Sequence, residues 1–408
     1  MLSYQAARSK VIEVAQARFR PRPPEIIDIV RDPAAALGRV VAEDIRADRD
    51  YPSFDRSIRD GIAVRATDVA NVPARLKAVG ESKAGGSYPG TLAQGECVHI
   101  MTGAPVPEGA DAVVMVEYTK TAGDWVTVER SARAGDHIVR AGNEARANQL
   151  VIPRGTRIGY AELSVAAQVG AAKLPVFVRP RVAVLATGDE LVSADEVPGA
   201  FAIRNSNGVS LAAQVALSGA VPVILGVAPD RERELREAIE RGLAEDALVL
   251  SGGVSMGKYD LVEKILLEAG AEFYFDAVAI RPGRPAVFGA LKDKLVFGLP
   301  GNPVSAMVTF ELFVTPAIDV LSGAVPRALP IIRAKVRHEL NEKPGLAHFL
   351  PAKMEFTDDG PTVEAMRWQG SGDAVALVSA NCFIVVGTSQ EHVSAGEWVD
   401  AFPRRGSI

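Results

Sequence analysis

A glycine- and serine-rich segment, LVLSGGVSMGKYD over residues 248–260, has the residue types that bind a phosphate. Its small side chains let backbone amides and hydroxyl groups approach an anion closely. These candidate binding residues are Ser251, Gly252, Gly253 and Ser255. Asp260 stands at the predicted start of the next helix, where it could cap that helix or hold a metal ion through oxygen. A plain turn followed by a helix cap would use the same residue types, so both interpretations stay open.

The segment FGLPGNPVSA combines the end of a predicted strand with the start of a predicted helix. Exposed backbone amides and the helix dipole favour an anion at such a helix start, and two prolines stiffen the approach. The candidate binding residues here are Pro300, Gly301, Asn302 and Pro303. The alternative is a tight turn in which the Asn302 side chain caps the helix.

Two further loops of the second half carry charged groups. IRPGRP holds Arg281 and Arg284 on a proline-fixed loop, and two guanidinium groups held together suit a phosphate or another oxyanion. ATGDEL ends a buried strand, so that Asp189 and Glu190 could hold Mg²⁺ through their oxygens. A solvated turn and a helix cap with first-turn acids are the alternatives.

Carboxylates and hydroxyls also stand on two segments of the N-terminal half. YPSFDRSIRDGIAVRA contains Asp55, Ser57 and Asp60, and HIMTGAPVPEGADAVVMVE contains Thr102 and Glu117. Such groups could meet the rim of a ligand site, but the same residue types form turns. Taken alone, these two segments favour turns.

The loops of the second half follow strands of one predicted sheet. Over residues 179–325, buried strands such as RVAVLATG, ALVLSGG and LVFGLPG alternate with helical segments of about 10–15 residues. This alternation predicts a doubly wound parallel α/β domain. Because ligands bind beyond the carboxyl ends of the strands in such sheets, the three loops should converge on one rim. Asp230 is predicted to cap the charged helix RERELREAIERGLAED.

The remaining segments predict a multidomain chain of α/β and β structure. A first helix over residues 1–20 ends at a group of prolines, and a short helix lies near residues 33–37. Short apolar runs between Gly, Pro and Asp turns predict an inserted β-domain and a small C-terminal β-barrel. The predicted domains are a mixed N-terminal domain (1–45 and 140–178), the inserted β-domain (46–139), the α/β domain (179–325) and the barrel (326–408).

Composition narrows the classes of function. The net charge of −5 over 408 residues gives no reason to expect a nucleic acid or an anionic membrane as a partner. Cys97 and Cys382 lie far apart and the five histidines form no HxH or HxxxH pair, so a zinc site is not expected. Unclustered cysteines fit a reducing compartment. The N-terminus lacks a signal-peptide core and no run of about 18 apolar residues appears, so the cytoplasm is predicted.

Eight segments, taken in order, resemble one protein family. DRSIRDGIAV resembles its DNSAMDGYAV motif, HIMTGAPVPEGADAVVMVE is similar to RIMTGAPLPEGADAVV, and GDHIVRAGNEARANQLVIPRG is similar to its G-x-x-(V/I)-R-x-x-G-E-D segment. RPRVAVLATGDELV, IRNSNG, SGGVSMGKYD, RPGRPAVFG and FGLPGNPVSAMVTF follow in the family's order. This is the molybdopterin molybdenumtransferase family, which includes the animal gephyrin E domain. The resemblance covers essentially the whole chain.

The resemblance implies four domains in an elongated homodimer, with a central molybdenum-cofactor-binding α/β fold. The implied reaction converts adenylylated molybdopterin and molybdate to molybdenum cofactor and AMP in a Mg²⁺-dependent step. The site would lie between the α/β domain of one subunit and the β-domain of the other, which would explain acidic loops in both halves. A molybdopterin adenylyltransferase and apo-molybdoenzymes are the implied protein partners.

The resemblance also assigns roles to single residues. Glu190 and Asp260 would position Mg²⁺, with Asp60 supporting the site across the dimer. Arg281 and Arg284 would attract molybdate or phosphate, and the Ser251–Ser255 loop would hold the pterin phosphate. The retained functional positions are Asp60, Thr102, Glu190, Asp260, Pro300 and Pro303.

Several positions depart from the family pattern. They are Arg56 for Asn, Arg59 for Met, Ile62 for Tyr, Glu144 for Asp, Lys258 for an acidic residue and Arg284 for Lys. Because Lys and Arg are not equivalent at oxyanion sites, these changes could retune specificity. They could also mark a paralogue that binds the cofactor without turnover. A third possibility is the related adenylyltransferase, which shares the α/β fold and the SGG loop, but the additional β-domains count against it.

Overall fold

The N-terminal half is built mainly from short strands. The structure, a computed structural model, describes residues 1–20, 22–253 and 261–407. In the N-terminal half, 3₁₀ turns lie at Ala66–Val69 and Val116–Tyr118. The other elements are α1 (Tyr4–Arg18), β1 (Glu25–Asp28), α2 (Pro33–Ala36), β2 (Ile45–Arg46), β3 (Arg56–Ser57), β4 (Gly61–Val64), β5 (Ala74–Ser82), β6 (Glu96–Ile100), β7 (Ala112–Met115), β8 (Thr119–Ala122), β9 (Trp125–Val128), β10 (Ile138–Val139), β11 (Leu150–Ile152), α3 (Tyr160–Gln168) and β12 (Lys173–Val176).

Six of these strands form one sheet, in the order β7-β4-β6-β5-β9-β8. Neighbours run antiparallel except for β5 and β6, which are parallel. One face of the sheet buries apolar side chains at alternate positions, including Ile62 and Val64 of β4 and Val126 and Val128 of β9. The predicted inserted β-structure is therefore present. The shorter strands pair as β1-β12, β10-β3 and β11-β2.

Helix α1 belongs to the core of the central region. It begins after Ser3, whose Oγ accepts a hydrogen bond from the Ala6 N–H at 3.2 Å. Its buried residues recur at helical spacing, at Ala7, Val11, Val14 and Ala15. They pack in one cluster with Val184 and Phe297 of the central sheet. The start of the chain therefore helps to fix the layer that carries the candidate site.

The central region alternates strands and helices as predicted. In this region a π-helical turn, Phe310–Val314, joins the last two helices into one rod. The elements are β13 (Arg181–Thr187), β14 (Leu191–Val192), β15 (Ile203–Arg204), α4 (Ser206–Leu217), β16 (Val221–Ala228), α5 (Glu232–Leu243), β17 (Ala247–Ser251), α6 (Leu261–Glu268), β18 (Glu272–Phe275), β19 (Ile280–Arg281), β20 (Val287–Leu291), β21 (Lys294–Leu299), α7 (Pro303–Thr309) and α8 (Thr315–Leu321).

The central sheet has the order β16-β13-β17-β21-β20-β18. Its first four strands are parallel, which confirms the doubly wound prediction. The antiparallel pair β20 and β18 at one edge was not predicted from the sequence. Strand β13 is buried on both faces: Val182 and Val184 pack with α1 and α4, whereas Ala183 and Leu185 pack with α5 and α6. Such burial explains why its sequence is a continuous apolar run.

The rod Pro303–Leu321 is long and apolar enough to span a membrane by length and composition alone. However, 89% of its most apolar window is buried inside the protein. That burial is typical of a core helix, and it supplies Val304, Phe310 and Ile318 to the central core.

The C-terminal region forms the predicted small barrel. Its elements are β22 (Ile332–Val336), β23 (Leu340–Asn341), β24 (Ala347–Thr357), β25 (Gly360–Ala365), α9 (Ala376–Ser379), β26 (Cys382–Val386), β27 (His392–Val393) and β28 (Trp398–Pro403). The strand order β24-β25-β22-β28-β26 is closed by pairing of β26 with β24. Strand β19, from the central region, pairs with β24 so that Arg281 lies beside His348. The barrel thereby holds the arginine loop next to the central sheet.

Candidate active-site cleft

An open cleft of about 720 Å³ lies at the carboxyl ends of strands β13, β17 and β21. Its walls are the loops that follow these strands, the start of α4, and a segment of the C-terminal region at residues 372–375. The three loops meet at one rim, as a doubly wound topology requires. The predicted binding residues that line the cleft are Glu190, Ser251, Gly252, Gly253, Pro300, Gly301, Asn302 and Pro303. The predicted residues Ser255 and Asp260, and the departure Lys258, lie outside the described residues.

Ser251 and Asn207 form the floor of the cleft. The Asn207 Nδ2 group donates to Ser251 Oγ at 2.8 Å and to the Gly301 carbonyl at 2.8 Å. Ser251 Oγ in turn donates to the Pro300 carbonyl at 3.4 Å. These bonds tie the end of β17 to the turn that precedes α7. Ser251 is therefore a structural tie as well as a lining residue, and Asn207 is a site residue that the sequence did not single out.

Two glycines let strand ends approach each other at the cleft. Gly252 has φ +91°, and a Cβ atom there would lie 2.4 Å from the Thr187 carbonyl oxygen. Gly253 has φ +66°, and its Cβ would lie 2.6 Å from Thr187 Oγ1. A side chain at Gly252 would displace the backbone, and one at Gly253 would displace the Thr187 side chain. The glycines thus let the loop pass close to the end of β13, and the Gly252 N–H donates to the Leu299 carbonyl at 3.2 Å.

Two buried oxygens in the cleft walls have no hydrogen-bond partner among the residues that the structure describes. They are Thr187 Oγ1 and Asn207 Oδ1, on residues that are only 3% and 8% exposed. A buried polar atom without a partner costs about 1–3 kcal/mol, so native proteins rarely retain one without a reason. A ligand that donates a hydrogen bond, or a cation, would satisfy both oxygens.

Asp230 lies in the cleft, and its predicted role as a helix cap is wrong. Helix α5 begins after Arg231 and has no side-chain cap. The Asp230 N–H instead donates to Asp189 Oδ1 at 3.1 Å, while its side chain lines the cleft beside Glu190. Burial raises the pKa of the Asp230 carboxyl, and the nearby charges of Asp189 and Glu190 raise it further. In the sequence, Asp189 and Glu190 follow β13 and Asp230 follows β16, and this spacing does not predict that the three acids lie close together.

The chemistry of these groups fits a hard divalent cation. Carboxylate, hydroxyl and amide oxygens are the ligands that Mg²⁺ prefers, and Glu190, Asp230, Thr187 and Asn207 supply all three types. The described residues form no cluster of three or more His, Cys, Asp or Glu side chains with metal-site geometry. Asp260, the second predicted magnesium ligand, is not among them.

The start of α7 is closed by the C-terminal region. Asn302 occupies the cap position, but its side chain does not cap the helix. Its Nδ2 group donates to Ser371 Oγ at 2.9 Å, and the Val304 N–H donates to the Ser371 carbonyl at 3.0 Å. The capping interpretation of Asn302 is therefore wrong. One of the amides expected to meet an anion at this helix start is already used.

Arg281 and Arg284 line a second cavity of about 530 Å³ that adjoins the cleft. The two cavities share Pro300 and Asn302 as a common wall. Both arginines are exposed, and neither has a carboxylate within 4.0 Å in the described parts of the chain. Two guanidinium groups without partners beside an acidic cleft are suited to an oxyanion.

Asp60 and Thr102 contact each other on the β-domain. The Thr102 N–H donates to Asp60 Oδ1 at 2.7 Å, and both residues are exposed. Neither is among the described residues that line the cleft of the same chain. The structure therefore brings these two predicted residues together. Their placement at the cleft of a second subunit stays a prediction.

Two of the departures from the family pattern form an ion pair. Arg56 Nη2 lies 2.6 Å from Glu144 Oε1. A residue-by-residue comparison treats the two changes as separate, but the structure joins them into one neutral unit. Ile62, another departure, is 1% exposed and packs in the core of the β-sheet.

Models of known families match three segments of the chain. Residues 2–170 match the MoeA N-terminal region (domain I and II), residues 183–320 match a probable molybdopterin binding domain, and residues 333–403 match the MoeA C-terminal region (domain IV). These segments follow one another with short gaps, so the resemblance extends along most of the chain.

Solved structures show the same architecture. The molybdopterin biosynthesis moeA protein of Pyrococcus horikoshii OT3 superposes with a TM-score of 0.80 at 27% identity, over 99% of this chain and 100% of that one. A second structure of a moeA protein from Pyrococcus horikosii gives a TM-score of 0.74 at 32% identity, over 97% and 98% of the two chains.

Curated sequences agree with this likeness. The molybdopterin molybdenumtransferase of Staphylococcus aureus (strain COL) is 33% identical over 90% of this chain and 88% of its own length. Those of Nostoc sp. and Bacillus subtilis are 33% and 34% identical, over 91% and 86% of this chain and 87% and 84% of their own lengths. With this identity along nearly its whole length, the chain belongs to the molybdopterin molybdenumtransferase family.

Proposed function

We propose that this chain is a molybdenum insertase, a transferase of molybdenum cofactor biosynthesis that converts adenylylated molybdopterin and molybdate to molybdenum cofactor and AMP. The observation that carries the proposal is the cleft itself. It combines unpartnered buried oxygens and repelling carboxylates with two free arginines alongside. A phosphorylated, anionic substrate with a divalent cation is the ligand chemistry that such a set of groups accommodates.

The proposed roles combine the family resemblance with the positions of the described residues. The glycine loop at Gly252 and Gly253 holds the pterin phosphate, and Arg281 and Arg284 attract molybdate from the adjoining cavity. Glu190 and Asp260, with Asp230, would hold Mg²⁺. A cation held there would supply charge neutralisation for hydrolysis of the phosphoanhydride that joins the pterin phosphate to AMP. Asn207 and Ser251 keep the glycine loop and the start of α7 in register.

A homodimer completes the site in this proposal. Asp60 and Thr102 are exposed, bonded to each other and outside the cleft of their own chain. In the dimer they reach the cleft of the second subunit. The donor of the adenylylated substrate is a molybdopterin adenylyltransferase, the acceptors of the product are apo-molybdoenzymes, and the reaction takes place in the cytoplasm.

The test of the proposed reaction is AMP release from adenylylated molybdopterin with Mg²⁺ and molybdate. Wild type is compared with Glu190→Gln and Asp260→Ala, and with Asp195→Asn as a control at an exposed acid that is not among the described residues lining the cleft. We expect molybdate-stimulated release in wild type and the control, and a loss of about 100-fold in the Glu190 and Asp260 variants. No AMP release from folded wild type, even with tungstate, combined with stoichiometric cofactor binding, would identify a non-catalytic paralogue instead.

The shared site has its own test. Asp60→Ala and Glu190→Gln subunits are inactive separately, but random mixing should restore about a quarter of wild-type activity, because half of the dimers are mixed and each has one intact site. Activity that does not return on mixing, in material shown to exchange subunits, would contradict a site shared across the dimer.

A further inference from the structure

A separate cavity of about 380 Å³ lies at the far end of the rod Pro303–Leu321. It forms where α1, the end of the rod, the connection to the barrel and the end of the chain meet, and it shares no residue with the cleft. Its charged lining residues are Arg8, Glu311, Asp319, Arg327, Arg404 and Arg405. We refer to it as the arginine cavity.

Both carboxylates of the arginine cavity already have partners. Asp319 is fully buried and accepts hydrogen bonds from Arg327 Nη2 at 2.6 Å and Arg157 Nη2 at 3.0 Å. Glu311 is nearly buried and accepts from Arg405 Nε at 3.4 Å and Gln214 Nε2 at 3.1 Å. Neither acid is therefore left to neutralise a further cation.

The arginines outnumber these acids. The four arginines that line the cavity, together with Arg157 behind Asp319, carry five positive charges against two negative ones, which leaves a formal excess of three. Within the described parts of the chain Arg8 has no carboxylate partner, and its guanidinium donates to the carbonyls of Leu312 and Arg327. The carbonyls hold this side chain in the cavity wall without cancelling its charge.

This excess is electrostatically unfavourable in the free protein. Burial lowers the pKa of the Arg8 guanidinium; Asp319 opposes that effect, while the neighbouring charges of Arg327 and Arg405 add to it. The pKa of Arg157 is lowered in the same way, by burial and by Arg327. An anion in the cavity would relieve the repulsion among these groups, and guanidinium forks bind carboxylates and phosphates in pairs of hydrogen bonds.

The remaining wall of the cavity is apolar. Leu329, Pro330, Ile332 and Phe402 form it, on the connection to the barrel and on strand β28. A volume of this size is within the range of small-molecule sites, at about 300–1,000 Å³, and such sites combine apolar walls with a few polar groups. The occupant therefore needs an apolar body in addition to its negative charge.

We propose that the arginine cavity is a binding site for a small organic anion that carries a carboxylate or phosphate group on an apolar body. The anionic group binds among Arg8, Arg327 and Arg405, and the apolar body packs on Ile332 and Phe402. The site is independent of the proposed reaction, because it is built from other residues than the cleft. Its occupant joins α1, the central domain and the barrel at one point.

Binding is tested by calorimetry and thermal unfolding at constant ionic strength, with benzoate, phenyl phosphate and benzyl alcohol as probes. We expect at least one of the anions to bind and to raise the unfolding temperature, whereas neutral benzyl alcohol does neither. The comparison of the two anions distinguishes a carboxylate from a phosphate ligand. Arg8→Gln and Arg405→Gln should each weaken binding about tenfold or more, as expected for loss of a charge-assisted contact.

Two control variants test where on the protein the anion binds. Arg333→Gln removes an exposed arginine of the same barrel, and Arg284→Gln removes one beside the cleft; both should retain wild-type affinity for the probe. Binding that is lost in Arg284→Gln and kept in Arg8→Gln would assign the anion to the cleft and overturn the proposal. Absence of binding of either anion to wild type would overturn it as well.

A measurement on wild type avoids dependence on the folding of variants. Phenylglyoxal modifies accessible arginines, and mass spectrometry reports the modification of each one. The bound anion should protect Arg327 and Arg405 while Arg333 reacts at an unchanged rate. Equal rates at all three arginines with and without a saturating probe would contradict a site in this cavity.

Discussion

The acidic residues of the N-terminal half and those of the cleft have opposite surroundings. In the N-terminal half, Glu144 is paired with Arg56 and Asp60 accepts the Thr102 N–H. Burial works to raise the pKa of Asp55, but the Ala141 N–H and the Arg140 guanidinium outweigh it and hold that pKa below its usual value.

In the cleft, by contrast, Glu190 and Asp230 have no basic side chain within 4.0 Å among the described residues. Burial raises the pKa of Asp230, and the charges of Glu190 and of neighbouring Asp189 raise it further. Two sets of acids that look alike in sequence thus differ in whether the fold gives them a partner. Paired acids stabilise their loops, whereas carboxylates without a cationic partner favour a bound cation, and this difference supports the cleft as the proposed place of chemistry.

The largest expected effect is on AMP release, and it comes from substitution of Asp230, which the sequence analysis predicted to be a helix cap. Asp230→Asn should lower AMP release about 100-fold, because it removes a charge that holds the cation at the phosphates. The assay is the AMP-release reaction, with Asp195→Asn as the control. A rate within about twofold of wild type would show that Asp230 has a structural role only. It would also weaken the distinction between the acids of the cleft and those of the N-terminal half.

Substitution of Thr187, whose buried hydroxyl lines the cleft, separates an effect on substrate affinity from an effect on stability. Thr187→Val keeps the shape of the side chain and removes a buried hydroxyl that has no hydrogen-bond partner. Affinity for the substrate should fall about tenfold, while the free energy of unfolding of the free protein stays the same or rises by about 1 kcal/mol. Substrate titration and chemical denaturation measure the two quantities. Loss of stability together with unchanged affinity would show that the hydroxyl serves the fold.

The raised pKa of Asp230 predicts a pH-dependent difference in stability. Because folding favours the protonated carboxyl, the charged form destabilises the native state once the pH exceeds the unfolded-state pKa of about 3.9. Asp230→Asn should therefore unfold at a higher temperature than wild type at pH 7 without Mg²⁺, by an amount that decreases as the pH falls and disappears below about pH 4. Calorimetry across this range tests the sign. A variant less stable than wild type at pH 7 would contradict carboxylate repulsion.

The smallest expected effect belongs to the ion pair of the N-terminal half. A double-mutant cycle of Arg56→Ala and Glu144→Ala should give a coupling energy below about 1 kcal/mol, reduced by salt, because both side chains are partly exposed. AMP release should change less than about threefold in the double variant, since the pair is self-neutralising. A large loss of activity that the second substitution does not rescue would show that one partner acts on the substrate.

The sequence predicted the main elements and eight of the residues that line the cleft, but not their contacts. The continuous apolar run of β13 and the glycines after β17 identified the sheet and its rim, because they follow from local chain geometry. Asp230 was interpreted as a helix cap, and a cap was the alternative interpretation of Asn302, because each stands just before a helix. The Asp230 carboxyl instead lies near the charges of Asp189 and Glu190, and the Asn302 side chain donates to Ser371. Sequence spacing does not encode such distant partners.

The pair β18 and β20 was missed because short apolar runs in an α/β context do not specify strand direction. The N-terminal residues Asp60 and Thr102 were noted for their residue types, but only the resemblance gave them a functional role over that of turn formers. Their mutual hydrogen bond is visible only in the fold, and their link to a cleft remains a prediction that mixing of subunits tests.

The bond between Asn302 and Ser371 joins two parts of the cleft that are synthesised at different times. One wall of the cleft, residues 372–375, is encoded near the end of the chain, after most strands of the barrel. Domains fold as they leave the ribosome, N-terminal parts first, so the central sheet is complete before its cleft is. A nascent chain therefore exposes the glycine loop with one wall missing, and the cleft gains that wall only after residues 372–375 have left the ribosome. A truncation after residue 325 would preserve the sheet but never complete that wall.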